Sequence, residues 1–282
     1  MAGIGVLVFF ISCTKEFSLE NGGNVTSNLI VGTDCRISKI DYQDSSSGFP
    51  LGSIAATINA NDTVTDITLF DSLSNTIAIN SMPQYGADTI YIDSDEYFLV
   101  DAVTKNIIHL HGILTSTFPT IPFEADYIYD GNGNLIQKVY SIPGTSPAVQ
   151  VDYTYTAGNL THMTFTDETI GQLISDADID YYSNITPRNY LNLMPDEGLS
   201  GDFNHFAPYT QFFNFGKKPV NAIKKMTVRD YSGGVVADST VSTFTTYSMS
   251  LDNYVQSVYM LGDDQESIPA AEGKLVFSYK CK

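Results

Sequence analysis

The amino-acid sequence predicts a mainly β protein, either a large curved antiparallel sheet or an open barrel, built of consecutive hairpins. In several segments polar and apolar residues alternate with period two, so that each predicted strand has one dry and one wet face. Residues typical of tight turns separate these segments. Together the two observations predict about 14 strands at the 8–12-residue spacing of all-β folds.

The alternation is clearest in residues 148–156. There Val149, Val151, Tyr153 and Tyr155 fall on one face, and the intervening residues are polar. Similar segments are joined by turns rich in Gly, Asn and Asp, namely 59–62, 130–134, 157–159 and 232–234. Gly and Asn adopt the backbone angles that tight hairpin turns require, so these positions predict antiparallel connections.

One interval departs from the strand pattern. Thr186 followed by Pro187 has the residue types of a helix N-cap and first helical position, which predicts a short helix over 187–194. A second candidate helix, 207–213, lies among aromatic residues spaced by three or four: Phe203, Phe206, Tyr209, Phe212 and Phe213. We therefore expect a short helical insertion around 186–216 that covers one end or face of the sheet. The alternative is that these aromatic side chains line a ligand pocket.

Composition and charge exclude several classes of function. The 282 residues include 32 acidic and 14 basic ones, for a formal charge of −18. This balance argues against a nucleic-acid partner, which needs a basic face, and against electrostatic docking on anionic lipid. A hydrophobic fraction of 43% excludes a disordered chain.

The first residues predict a secretory leader. Residues 3–12 form an apolar run that is half as long as a membrane-spanning helix and matches a signal-peptide core. The run ends in Ile11-Ser12-Cys13, which resembles a bacterial lipobox, with Phe10 where Leu is usual. We expect a truncated signal peptide over 1–12 and an acyl group on Cys13. The alternative is a buried N-terminal strand with a core cysteine.

The leader sets the expected organisation and location of the chain. The polar, Gly-rich residues that follow Cys13 predict a flexible tether over 13–33, and a single β-rich domain follows over 34–282. The expected location is the outer membrane or cell surface, on the periplasmic or extracellular side, with the membrane as a partner through the lipid at Cys13.

The two remaining cysteines, Cys35 and Cys281, are a candidate disulfide, because an envelope compartment is oxidising. Such a bridge requires the first and last strands of the domain to be adjacent. The alternative is two separate buried thiols.

Few residues point to catalysis. His109 and His111 are two apart on a predicted strand and share a face, which suits two ligands of a zinc or iron ion. The alternative is a pair of polar side chains on the solvent face. The sequence contains no nucleophile elbow, Walker loop or dinucleotide fingerprint, so no cofactor is predicted.

A weak internal repeat carries a family resemblance. Residues 127–135 and 153–160 each place two tyrosines on one strand face, then a Gly/Asn turn, then Leu. These segments resemble the YD hairpin repeats of Rhs-type proteins, although Thr156 stands where Asp is expected. Together with the Cys13 lipobox and the segments 218–223 and 277–281, the layout resembles a group of Bacteroidota lipoproteins with YD-like domains of unknown function. The resemblance implies an envelope-anchored, mostly antiparallel β protein and implies no activity.

The function favoured by these observations is a non-catalytic binding or interaction module of the cell envelope, with a glycan or protein partner and no nucleic acid. One alternative is a carrier of an apolar or lipid-like ligand. A hydrolase that uses an acidic pair or a metal is the least favoured hypothesis.

Overall fold

A computed structural model describes residues 35–44, 47–71, 76–114, 121–143, 147–188, 209–262 and 272–281. The predicted leader, Cys13 and the tether lie outside these ranges.

Within these described ranges, seventeen strands make up one antiparallel sheet. In chain order the strands are β1 (Cys35–Asp44), β2 (Pro50–Ile58), β3 (Val64–Asp71), β4 (Thr76–Ser81), β5 (Gln84–Tyr85), β6 (Thr89–Tyr91), β7 (Tyr97–Val100), β8 (Ile107–Leu114), β9 (Ile121–Tyr129), β10 (Leu135–Ser141), β11 (Pro147–Thr156), β12 (Asn159–Asp167), β13 (Gln172–Tyr181), β14 (Ile223–Ser232), β15 (Val235–Met249), β16 (Val255–Gly262) and β17 (Glu272–Cys281). The predicted mainly β fold of consecutive hairpins is confirmed, with more strands than expected.

The sheet is a meander whose last strand returns to its first. Each ladder joins strands that are consecutive in the chain, and β17 pairs in addition with β1. Within the described ranges no ladder joins β4 to β5, so the sheet is not closed. Two side chains bridge this opening: the Tyr85 hydroxyl donates to the Val64 carbonyl at 2.8 Å, and Ser81 Oγ donates to the Ile92 carbonyl at 3.0 Å.

The two sheet faces differ sharply in character. On β9, for example, Phe123, Ala125 and Tyr127 are buried, whereas Glu124 and Asp126 alternate with them on the exposed face. The buried face also contributes the largest fully buried rings, among them Phe98, Phe123, Phe165 and Phe244. Burial of each large apolar side chain contributes about 2–3 kcal/mol, which makes this face the core.

Cys35 and Cys281 are register partners in the β1–β17 ladder. Their Cα atoms are 4.3 Å apart, and the structure joins the two sulfurs as a disulfide. The adjacency that the predicted bridge requires is therefore present, and the link lies where the meander meets its own start.

Repeated tyrosines have a structural role at the strand ends. The Tyr129 hydroxyl donates to the Ile107 carbonyl at 2.6 Å, and the Tyr181 hydroxyl donates to the Leu160 carbonyl at 2.8 Å. In both pairs the tyrosine near the end of one strand reaches the start of the preceding strand, and burial raises the pKa of both hydroxyls. Since a buried hydroxyl needs a partner, these bonds explain why tyrosine recurs there. The relation to YD repeats stays a prediction.

Residues 209–222, which we call the strap, connect several hairpins. The Ile107 amide donates to the Asn214 carbonyl at 2.8 Å. Farther along, the amide of Lys217 donates to the Gly133 carbonyl at 2.9 Å. The backbone amide of Asn221 then donates to Asn159 Oδ1, also at 2.9 Å. The strap therefore fastens together turns that are far apart in sequence.

The expected helical insertion around 186–216 lies mostly outside the described ranges. In the parts of this interval that the structure describes, 186–188 and 209–216, helical structure is limited to one 3₁₀ turn at 209–211. Within 209–216 the Phe213 amide makes an i→i−4 bond to the Tyr209 carbonyl at 2.9 Å. The Gly216 amide, however, donates to Asn214 Oδ1 and the Asn214 carbonyl accepts from the Ile107 amide, so the helical bonding does not continue. Gly216 has a φ of +91°, and a Cβ there would lie 2.7 Å from the Tyr129 ring, so the chain has no room for a helix side chain at that point. Residues 189–208 lie outside the described ranges.

Candidate functional site

Two histidines and two carboxylates meet on the exposed face of β8 and β9. His109 and His111 project from β8 on either side of the buried Leu110. The antiparallel register places His109 opposite Asp126 and His111 opposite Glu124. Sequence analysis identified the histidines and missed the carboxylates. The alternation of Glu124 and Asp126 with buried neighbours is visible in the sequence, but the register that brings them to the histidines is not.

The four side chains are hydrogen-bonded to one another. His109 Nδ1 lies 2.7 Å from Asp126 Oδ1, and His109 Nε2 lies 2.8 Å from Glu124 Oε2. The second oxygen of Glu124 lies 2.8 Å from His111 Nδ1. Both ring nitrogens of His109 therefore lie at hydrogen-bond distance from a carboxylate oxygen. His111 Nε2 has no hydrogen-bond partner in the described part of the chain.

Aromatic rings extend this group across β6 and β7. Tyr91, Tyr97, His111 and Glu124 are successive register partners on β6, β7, β8 and β9. The Tyr97 ring stacks on the His111 imidazole, with centroids 5.1 Å apart and an interplanar angle of 16°. The Tyr91 and Tyr97 centroids are 6.0 Å apart. We call the whole group the β6–β9 patch: Tyr91, Tyr97, His109, His111, Glu124 and Asp126.

In the described part of the chain, the metal site predicted at His109 and His111 has no set of ligands arranged around an ion. Among the residues described, no group of three or more histidines, cysteines or acids is arranged to hold a metal ion. In the patch the ring nitrogens of His109 and Nδ1 of His111 instead lie at direct hydrogen-bond distance from carboxylates. Metal binding at this pair stays a prediction.

A second histidine group lies farther along the same face, on β12, β13 and β14. His162 Nδ1 lies 2.7 Å from Asp178 Oδ1. Arg229 forms an ion pair of 2.7 Å from Nε to Asp176 Oδ1 and one of 2.6 Å to Asp178 Oδ2. The Tyr231 hydroxyl donates to Asp176 Oδ2 at 2.9 Å. We call these five residues the β12–β14 clasp.

The aromatic residues predicted to line a pocket are partly in the core. Tyr209, Phe212 and Phe213 are buried, and Tyr209 and Phe213 pack edge-on against Phe98 with centroid distances of 5.9 Å. The other two predicted pocket residues, Phe203 and Phe206, lie outside the described ranges, as does the predicted lipidation site, Cys13. A ligand role for these residues stays a prediction.

The structure belongs to the class of large open antiparallel meanders, with an apolar core face and a polar exposed face that carries the patch. Solved structures with a similar fold include two porin-like proteins. A porin-like protein from Bacteroides uniformis ATCC 8492 is similar with a TM-score of 0.61 at 10% identity, covering 86% of this chain and 98% of that protein's chain. A porin-like protein from Bacteroides vulgatus ATCC 8482 is similar with a TM-score of 0.50 at 15% identity, covering 88% and 99%.

The sequence matches no protein-family model and no curated protein. At 10% and 15% identity the two structural likenesses show the fold alone. In the described part of the chain, no helix has both the length and the apolar character needed to cross a membrane.

Proposed function

We propose that the chain is a non-catalytic binding module of the cell envelope, tethered by a lipid on Cys13, and that the β6–β9 patch is its binding surface. The observation that carries the proposal is the patch itself. It combines two tyrosine rings, a free imidazole nitrogen and two carboxylates on one exposed stretch of sheet.

The electrostatics of the patch favour an external partner. Glu124 and Asp126 are partnered by histidines, and the row of register partners from Tyr91 to Glu124 contains no Lys or Arg. The carboxylate oxygens and His111 Nε2 therefore offer hydrogen-bonding groups to a polar partner. A carrier of apolar ligands has less support, because Tyr209 and Phe213 are used in packing against Phe98.

Three observations support an envelope location. The apolar leader ends at a lipobox-like Cys13. Cys35 and Cys281 are placed for a bridge, and such bridges persist in oxidising compartments. Both similar solved structures are described as porin-like proteins of Bacteroides. In this chain the exposed sheet face carries charged side chains, which suits water or a polar partner and not hydrocarbon.

The location is tested in a bacterial host that acylates lipoproteins, with a basic segment added before residue 1 to complete the truncated signal peptide. We expect labelled palmitate to enter the wild-type chain, which fractionates with membranes, and not the Cys13→Ser variant, which is released from them. Alkylation without reductant is expected to leave Cys35 and Cys281 unmodified. Failure of the wild-type chain to take up label would overturn the anchored location.

The binding surface is tested by photo-crosslinking in the same cells. A benzophenone amino acid replaces Ile128, which is 42% exposed and lies beside Asp126 on the same face of β9. The matched control position is Val235, 67% exposed on the β14–β15 hairpin. We expect a discrete adduct from position 128 that is absent at 235 and is lost on Asp126→Lys. Equal or absent adducts at both positions contradict the proposal, as does hydrolase turnover that His109→Ala abolishes.

A further inference from the structure

We infer that the β6–β9 patch binds a neutral glycan, with one sugar ring against Tyr91 and neighbouring hydroxyls hydrogen-bonded to His111 and Glu124. The inference rests on the proposed function and adds the chemical class of the ligand.

Tyr91 offers an accessible aromatic surface. The residue is 44% exposed, and Tyr97 provides its one ring contact among the residues described. Its register partner on β5, Gln84, turns its amide away to donate to the Met82 carbonyl at 3.1 Å. Next to it stands Gly86, where a Cβ would lie 3.7 Å from Tyr91 Cε2. Because this neighbour has no side chain, the Tyr91 ring remains open to a flat apolar group such as the C–H face of a pyranose.

Hydrogen-bonding groups follow the ring at the spacing of the strands. Adjacent strands are about 4.8 Å apart, so the row from Tyr91 on β6 to His111 on β8 spans about 10 Å, the length of two linked sugar rings. His111 is held at Nδ1 by Glu124 and by stacking on Tyr97, which leaves Nε2 directed to a ligand hydroxyl. A few fixed polar groups beside an aromatic surface are the composition of small-ligand sites.

Charge selects a neutral glycan over an anionic one. The row from Tyr91 to Glu124 contains no Lys or Arg. Asp93 and Asp95 are exposed in the turn that joins β6 to β7, beside the two tyrosines. The carboxylates therefore repel uronic-acid or sulfated sugars, whereas they accept hydrogen bonds from the hydroxyls of a neutral sugar.

The test is affinity electrophoresis of the purified chain in gels that contain mannan, dextran or starch, with alginate as the anionic comparison. We expect retardation by at least one neutral polysaccharide and none by alginate. Tyr91→Ala removes the ring, and Gly86→Leu covers it without removing any group. Both variants are expected to weaken binding at least tenfold. The control is Tyr259→Ala, a half-buried tyrosine on β16, which is expected to bind like wild type.

Gly86→Leu keeps the test informative if Tyr91→Ala fails to fold. The space at Gly86 admits a Cβ at ordinary contact distances. The backbone amide of residue 86 continues to donate its hydrogen bond to the Thr89 carbonyl. Wild-type binding by both variants overturns the inference, as does equal retardation by alginate. If no neutral polysaccharide binds while the crosslink at position 128 persists, the patch has a different ligand and the proposed function stands. Loss of both signals overturns the proposed function as well.

Discussion

The β6–β9 patch and the β12–β14 clasp contain the same pair on adjacent antiparallel strands. His109 and Asp126 are register partners in the patch, as are His162 and Asp178 in the clasp, and each pair has an Nδ1–Oδ1 distance of 2.7 Å. What differs is the third member. In the clasp it is Arg229, which is permanently charged, whereas in the patch it is a second carboxylate, Glu124, which His109 and His111 share.

The third member decides which charged partners the carboxylates of each group have. Arg229 reaches both clasp carboxylates, and the hydrogen bonds that it donates, first to Asp176 and then to Asp178, raise its pKa. Burial of Asp178 alone would raise the pKa of its carboxyl, but hydrogen bonds from Arg229 and His162 outweigh it and the pKa is lowered. The patch has no such cation. The same cross-strand pair is therefore joined to a permanent cation in the clasp and not in the patch.

The largest effect is expected when the clasp loses its arginine. Arg229→Met leaves the nearly buried Asp176 carboxylate without its ion pair, which we expect to lower the free energy of unfolding by about 2–3 kcal/mol. Urea denaturation measures the change. Lys224→Met, at an exposed lysine on the same strand, is the control and is expected to change it by less than about 0.5 kcal/mol. Equal effects of the two substitutions would show that the clasp is only a surface contact.

A smaller effect, dependent on pH, is expected at Asp178. Its folded-state pKa lies below the ordinary value of 3.8, so the ionised carboxylate adds stability that is fully present above the unfolded-state pKa and is lost as the pH falls through the folded-state pKa. We expect Asp178→Asn to cost about 1 kcal/mol at pH 7. The difference from wild type should shrink below the ordinary pKa and vanish in stronger acid. Urea titrations at a series of pH values measure this difference in the free energy of unfolding. A difference that stays constant with pH contradicts a lowered pKa for Asp178.

Local sequence patterns predict the strands well and the contacts between distant strands poorly. Alternation identified the long hairpins because each strand there has one dry face. The short strands β5 and β6 (Gln84–Tyr85 and Thr89–Tyr91) are too brief for a periodic pattern, which accounts for part of the difference between about 14 expected strands and the 17 observed. Residues 207–213 were expected to be helical because their aromatic spacing suits a helix. In the described residues from 209 onward the helical bonding ends after one turn, and the Asn214 carbonyl accepts from the distant Ile107 amide.

The sequence predicted those site residues that lie close to one another along the chain. His109 and His111 are two apart and share a strand face, so the sequence sufficed to pair them. Glu124 and Asp126 join them only through the β8–β9 register. The Asp176–Arg229 pair required the β13–β14 ladder, although these strands are separated in sequence by the strap. No spacing rule connects such residues before the topology is known.

A modest effect is expected from the tyrosine of the clasp. Tyr231→Phe removes the hydrogen bond from the hydroxyl to Asp176. Because Arg229 still pairs with Asp176, the free energy of unfolding is expected to fall by about 0.5–1 kcal/mol. Thermal and urea unfolding report it. In the Arg229→Met background the same substitution should cost more, because the hydroxyl is then the remaining clasp donor to that carboxylate. If the losses in the free energy of unfolding from Tyr231→Phe and Arg229→Met simply added, the two residues would not share a network.

The smallest effect on stability is expected in the patch. Asp126→Asn keeps the shape of the side chain and retains an oxygen acceptor for His109, so the free energy of unfolding should change by less than about 0.5 kcal/mol. Asp178→Asn is the matched substitution, since each aspartate faces a histidine at the same distance. The two variants are compared by urea denaturation at pH 7. If Asp126→Asn destabilised the chain as much as Asp178→Asn, the patch would be a second structural clasp. A near-silent Asp126→Asn beside a costly Asp178→Asn would place the difference in the arginine, the one component that the clasp has and the patch lacks.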